Sequence, residues 1–182
     1  MDEYIDVADK AGKLTGEKAL KSTIHQKGLY HHTAHLWLYT KEKKIVLAQR
    51  SAKKTICPLL WDVSVAGHID TGETPKKAIV REAKEEIGLS INTADLQNVG
   101  IFKCFQTYEN GIIDNEFHNT FIAELKTPIN TLKLQTEEVE ALKLVTVNEF
   151  KTLLANSESN MHFVASNHAY YITVLHHVLS NF

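Results

Sequence analysis

The stretch "GHIDTGETPKKAIVREAKEEIGL", residues Gly67 to Leu89, gathers Glu73, Glu82, Glu85 and Glu86 into one short segment. Thr74 before Pro75 marks a helix start: a threonine hydroxyl caps exposed amides, and proline suits the first helical position, where its missing N–H is not needed. Gly88 marks the stop. Between them, at about 100° per residue, Glu82, Glu85 and Glu86 fall within an arc of about 100°. Ile79, Val80, Ala83 and Ile87 form the adjoining stripe that anchors such a helix in a core. Lys76, Lys77 and Lys84 point mainly elsewhere, so the polar face is a focused anionic patch. Like charges at these spacings repel by roughly 0.2–0.5 kcal/mol per exposed pair. A divalent cation relieves that repulsion, and oxygen-only ligands favour Mg²⁺ or Mn²⁺ over zinc. This geometry alone leaves a metal site and a plain charged helix equally open.

The surrounding chain reads as globular. Its 182 residues are 43% hydrophobic and 23% charged, which predicts a single domain spanning 1–182. A formal charge of -2 gives no broad attraction to nucleic-acid polymers or anionic membranes. No run approaches the roughly 18 apolar residues of a membrane span. Cys57 and Cys104 lie far apart behind no secretory segment, which predicts reduced thiols in a cytoplasmic setting.

Working outward, Tyr4 to Val7 reads as a short strand followed by a turn around Gly12 and Gly16. "HTAHLWLYT" and "IVLAQR" read as a hairpin across "KEKK", and "WDVSVAGHI" as a third strand leading into the acidic segment. "FQTYENGIIDNEFHNTFIAEL" reads as two strands about a Glu109-Asn110-Gly111 turn, with Asp114 and Glu116 on one face. Leu142 to Val147 reads as a strand, with a helix from about Asn148. Residues about 166–181 carry a helical apolar pattern for a last helix, which packs on the sheet or forms a dimer seam.

The spacing of the acidic segment is that of a known signature. Gly67, five residues, Glu73, seven residues, then Arg81-Glu82-Ala83-Lys84-Glu85-Glu86-Ile87-Gly88-Leu89 resembles a complete Nudix box over 67–89, departing only at Ala83, where a larger aliphatic residue is usual. The resemblance implies an α/β fold, a Nudix-type α/β/α sandwich with a mixed β-sheet. It implies a Mg²⁺-dependent hydrolase (Mn²⁺ being possible) that cleaves a diphosphate linkage in a nucleoside diphosphate-X or related organic diphosphate. Glu82, Glu85 and Glu86 would bind metal and carry catalysis, with the Gly67 carbonyl as a backbone ligand. Glu73 and Arg81 would pair and brace the loop against the helix, and Gly67, Gly72 and Gly88 would permit tight loops.

From about Glu3 to Glu149 the chain is similar to the Nudix branch that includes isopentenyl-diphosphate isomerase. His31, His68, Asp114 and Glu116 fall at or very near that enzyme's metal-ligand positions, His25 within one residue of another, and Arg50 and Lys54 at positions that touch the diphosphate there. Ala66 stands where the isomerase has its essential cysteine, and all the box glutamates are present, so the expectation is a hydrolase. A non-catalytic Nudix-fold nucleotide-binding module and, less so, an isomerase are the alternatives.

Ten histidines invite separate weighing. His31, His32 and His35 alternate or abut on a strand, so only some share a face. His68 is the one whose place beside Gly67 favours contact with metal or phosphate. His162, His168, His176 and His177 follow no motif and read as surface or packing residues. Glu116 is the choice for a catalytic carboxylate outside the box. Trp37, Trp61, Phe102, Phe105 and Tyr108 read as core more readily than as base-stacking groups. The expected partner is a small organic diphosphate, with the chain a monomer or homodimer.

Overall fold

A computed structural model describes residues 3–162 and 168–182. It is a mixed sheet covered by helices on both faces. The strands are β1 (Tyr4–Ala8), β2 (Leu14–Leu20), β3 (Tyr30–Tyr39), β4 (Lys44–Arg50), β5 (Trp61–Asp62), β6 (Val65–His68), β7 (Gln97–Thr107), β8 (Ile113–Glu124) and β9 (Val139–Thr146). The helices are α1 (Lys21–Lys27), α2 (Pro75–Ile87), α3 (Val147–Ala155) and α4 (His168–Leu179). Among the described residues no helix is long and apolar enough to cross a membrane.

β3 organises the sheet. It pairs in parallel with β8 along its whole length and antiparallel with β1 and β6, while β4 carries β5 and β9. Alternation along β3 divides the core. Ala34, Leu36 and Leu38 face Ile79, Ala83 and Ile87 of α2, whereas Trp37 and Tyr39 face Phe150 of α3 and Tyr171, Val174 and Val178 of α4. Each fully buried aliphatic or aromatic side chain contributes about 1.5–3 kcal/mol relative to exposure, and the result is the α/β/α sandwich that the resemblance implies.

α2 begins and ends where its sequence signals stand. Thr74 accepts a hydrogen bond from the Lys77 amide, and Gly88 closes the helix at φ 69°. α3 begins with a reciprocal capping box between Thr146 and Glu149.

The expectations need two corrections, one narrowing and one addition. Gly12 lies in a turn, but Gly16 lies inside β2, since the chain returns along β1 at once. The β3/β4 hairpin forms as expected, but its pairing is short, at Tyr39↔Ile45, with β8 and β6 pairing the rest of β3 and β9 pairing β4. The third strand is split: β5 joins β4, β6 joins β3, and the buried Ser64 between them hydrogen-bonds the Leu38 amide and the Val46 carbonyl. α1 had not been anticipated; its N-cap makes no side-chain hydrogen bond. The last helix spans His168–Leu179 and packs on the sheet; positions 166 and 167 of its expected span lie outside the described residues.

Candidate active site

The sheet, α1 and α2 enclose a cavity of about 320 Å³. The register of three strands builds its floor. Thr33 of β3 stands beside His118 of β8 and His68 of β6, and His31 beside Glu116. With side chains alternating along each strand, His31, Thr33 and His35 share the cavity face. His32 points the other way, bonded to the Gly12 carbonyl and stacked on Phe117.

α2 brings Glu82, Glu85 and Glu86 to this cavity beside Gly67. A Cβ on Gly67 would overlap the Glu82 carboxyl group, so glycine is what lets the helix lay that carboxylate against β6. Arg81 bridges the loop and the helix. Its Nη2 donates to Glu73 at 3.0 Å and to the His68 carbonyl at 3.0 Å, while Nη1 donates to Glu82 at 2.8 Å and Glu85 at 3.2 Å. Burial first, opposed by Arg81, pushes the Glu82 carboxyl up to about 7. Burial and then the neighbouring Glu82 push Glu86 up to about 8. Two acids held so close in a dry setting are short of positive charge, and a hard divalent cation fits that deficit and that oxygen donor set. Burial first and then Lys21 hold His68 well below its usual value, leaving a neutral ring with a lone pair to give.

A second group of possible ligands adjoins the first. The nitrogens of His25, His31 and His68 lie within 4.8 Å of one another. His25 Nδ1 and Asp114 Oδ1 are 2.6 Å apart, yet these atoms and His31 Nε2 are buried without an aligned hydrogen bond. His35, Glu116 and His118 form another such group. Burial would raise the Glu116 carboxyl, but hydrogen bonds to His118 and His31 outweigh it and hold it well below the usual range. Glu116 is therefore an ionised cavity carboxylate and not an exposed strand end.

Cationic side chains complete the wall. Arg50 lies 3.6 Å from Asp62, and Lys54 pairs with Glu138; both lysine and arginine line the cavity. Lys53 is 61% exposed and pairs with Glu137 outside it. Trp37 is core, while Tyr108 lines the cavity. His162 is 2% exposed, packed against Phe150 and Tyr171, a packing residue as expected. Cys57 and Cys104 are both free thiols.

Sequence reasoning did not place several wall residues, among them Thr33, His118, Glu138 and Tyr170. His118 was readable, standing two after Glu116 on the same strand face. Glu138 was hidden in an acidic turn, and its place follows from Gln135, whose amide donates to the Glu86 carbonyl at 2.8 Å, and from Ser51, whose amide donates to the Glu138 carbonyl. Cys104 faces Glu116 across the β7/β8 ladder. Tyr170 of α4 carried no signal at all.

Residues 29–165 match the profile of the NUDIX domain. The chain is 36% identical over 159 residues to a Nudix hydrolase of Clostridium acetobutylicum, covering 85% of this chain and 75% of that protein. It is 32% identical to Nudix hydrolase 3 of Arabidopsis thaliana over 86% of this chain, but spans only 21% of that longer protein. It is 30% identical to isopentenyl-diphosphate Delta-isomerase 2 of Photorhabdus laumondii, over 86% of this chain and 85% of the isomerase. Among solved structures, DR0079 from Deinococcus radiodurans superimposes with a TM-score of 0.68 at 17% identity, covering 98% of both chains.

Proposed function

The chain belongs to the NUDIX domain family as a diphosphate-cleaving hydrolase, and from that premise we propose that it works with Mg²⁺, or Mn²⁺ in its place, on a small organic diphosphate of the nucleoside diphosphate-X or a related kind. The observation that carries this reading is the convergence of Glu82, Glu85 and Glu86 with Arg50 and Lys54 on one cavity.

Glu82, Glu85, Glu86, the Gly67 carbonyl and the neutral His68 would hold the cation. When bound, it neutralises charge on the diphosphate and acidifies water. Arg50 and Lys54 bind phosphate oxygens; Lys54 exchanges its Glu138 partner for substrate. Glu116, ionised and held by His118 at 2.8 Å, orients a water and takes its proton. Arg81 and Glu73 fix the loop that places Gly67 and His68. The whole chain acts as one domain of cytoplasmic setting, with no nucleic-acid polymer or membrane as partner.

One observation gives the isomerase a hearing: Cys104, although not at position 66, lines the same cavity. Burial and then Glu116 push its thiol up to about 12. Ala66 still leaves its own strand position without a thiol. The test is a screen of nucleotides, sugar nucleotides, dinucleotides and prenyl diphosphates with Mg²⁺, products read by mass, against a Glu86→Gln control. Cleavage by the native chain alone supports the reading. Binding without turnover would favour a non-catalytic module, and conversion of isopentenyl to dimethylallyl diphosphate an isomerase.

A further inference from the structure

The cavity floor carries Thr33, His35 and His118, where a pocket made for hydrocarbon would carry aliphatic side chains. All three are more than nine-tenths buried, at 3%, 8% and 5% exposure. The Thr33 hydroxyl has no hydrogen-bond partner among the described residues. Tyr170 accepts the Trp37 indole N–H at 2.7 Å and lies 2.9 Å from His35 Nδ1. An indole N–H can only donate, so the phenol oxygen is the acceptor there and the phenol is locked in place. Nδ1 of His35 is thereby committed to Tyr170, and Nε2 is the ring atom left for a ligand. Buried polar atoms sealed against hydrocarbon lose their hydration with nothing in return.

We propose that Thr33, His35 and His118 form the specificity surface for the organic group X, and that they select an X bearing oxygens near the diphosphate, of sugar or polyol type, over a hydrocarbon chain. The inference rests on the diphosphate-hydrolase reading above. The Thr33 hydroxyl both donates and accepts, and His35 Nε2 does one or the other according to its tautomer, which suits a hydroxylated group, while His118 Nε2 is held by Glu116. A site built on hydrogen bonds rejects an analogue lacking them by about 10⁴–10⁵-fold, whereas an apolar pocket separates close analogues by only about 10–200-fold.

The experiment measures kcat/KM of the full chain with Mg²⁺ for ADP-ribose, UDP-glucose, isopentenyl diphosphate, geranyl diphosphate and methyl diphosphate, in native, Thr33→Val and Thr33→Ser forms. Valine has nearly the shape of threonine, so folding is preserved; His35→Leu is the second variant. An oxygen-bearing substrate should exceed both prenyl diphosphates by about 100-fold or more. Thr33→Val should lower that substrate about 10-fold more than it lowers methyl diphosphate, with serine restoring the rate. Prenyl diphosphates cleaved as well as the sugar-bearing ones would overturn the inference and leave the hydrolase reading standing. So would a loss in Thr33→Val that is equal for all substrates and not restored by serine. Absence of turnover with every diphosphate would remove both.

Discussion

Glu86 is 8% exposed, yet the one hydrogen bond its carboxylate makes among the described residues is a 3.4 Å contact from the Ala66 amide. A side chain so placed serves the core poorly and a cation well. Glu86→Gln keeps the shape and removes the charge, so turnover at limiting Mg²⁺ should fall at least about 100-fold while the thermal midpoint without metal holds or rises. A midpoint that falls with turnover would show that the carboxylate is structural. Arg81 is the counterpart that serves structure. Its fork satisfies Glu73, Glu82 and the His68 carbonyl together, which a lysine cannot do. Arg81→Lys should cost about 2 kcal/mol in urea unfolding, and an unchanged midpoint would remove the bracing role. At this scale the sequence was informative about the acids and the arginine, because their spacing is itself the geometry of one helix face. It was silent on Thr33 and His35, which matter through neighbours on other strands.

α2 is the element read most completely, since Thr74, Pro75 and Gly88 punctuate it and its apolar stripe is local. Gly88 also packs tightly: a Cβ there would meet Lys133 backbone atoms at 3.1 Å, on a backbone at φ 69°. Gly88→Ala should therefore destabilise by about 1–2 kcal/mol, or more if Lys133 cannot yield, read by chemical denaturation. A neutral result would mean that the loop 132–135 adapts freely. β5 and β6 were misread as one strand because continuous hydrophobicity does not reveal a change of partner. α1 escaped notice because seven residues without a side-chain cap carry little periodic signal. Its cost to the sequence reading was the placement of His25, which α1 delivers 3.2 Å from His68.

Over the whole molecule, the cavity depends on pairings between distant segments. β3 meets β8 in parallel more than 80 positions away, and α4 returns from the far end of the chain to set Tyr170 into the wall. Such contacts leave no mark in local periodicity, so the box was legible and the far side of the site was not. α4 had two readings, core helix or dimer seam. Its buried Tyr170, Tyr171, Val174 and Val178 make it part of the core. Val174→Ala, at 0% exposure, should cost about 2 kcal/mol of stability from lost methyl burial and the residual cavity. A cost near zero would mean that α4 docks loosely.

The central claim is that the acidic face of α2 is a metal-dependent hydrolytic site. The measurement that tests it most directly is the steady-state hydrolysis rate of the best diphosphate from the screen, as a function of Mg²⁺, in the native chain and in Glu86→Gln. The account predicts saturable Mg²⁺ dependence in the native chain and a rate at least about 100-fold lower in the variant. Equal rates in the two, or turnover indifferent to Mg²⁺ and to its chelation, would contradict it.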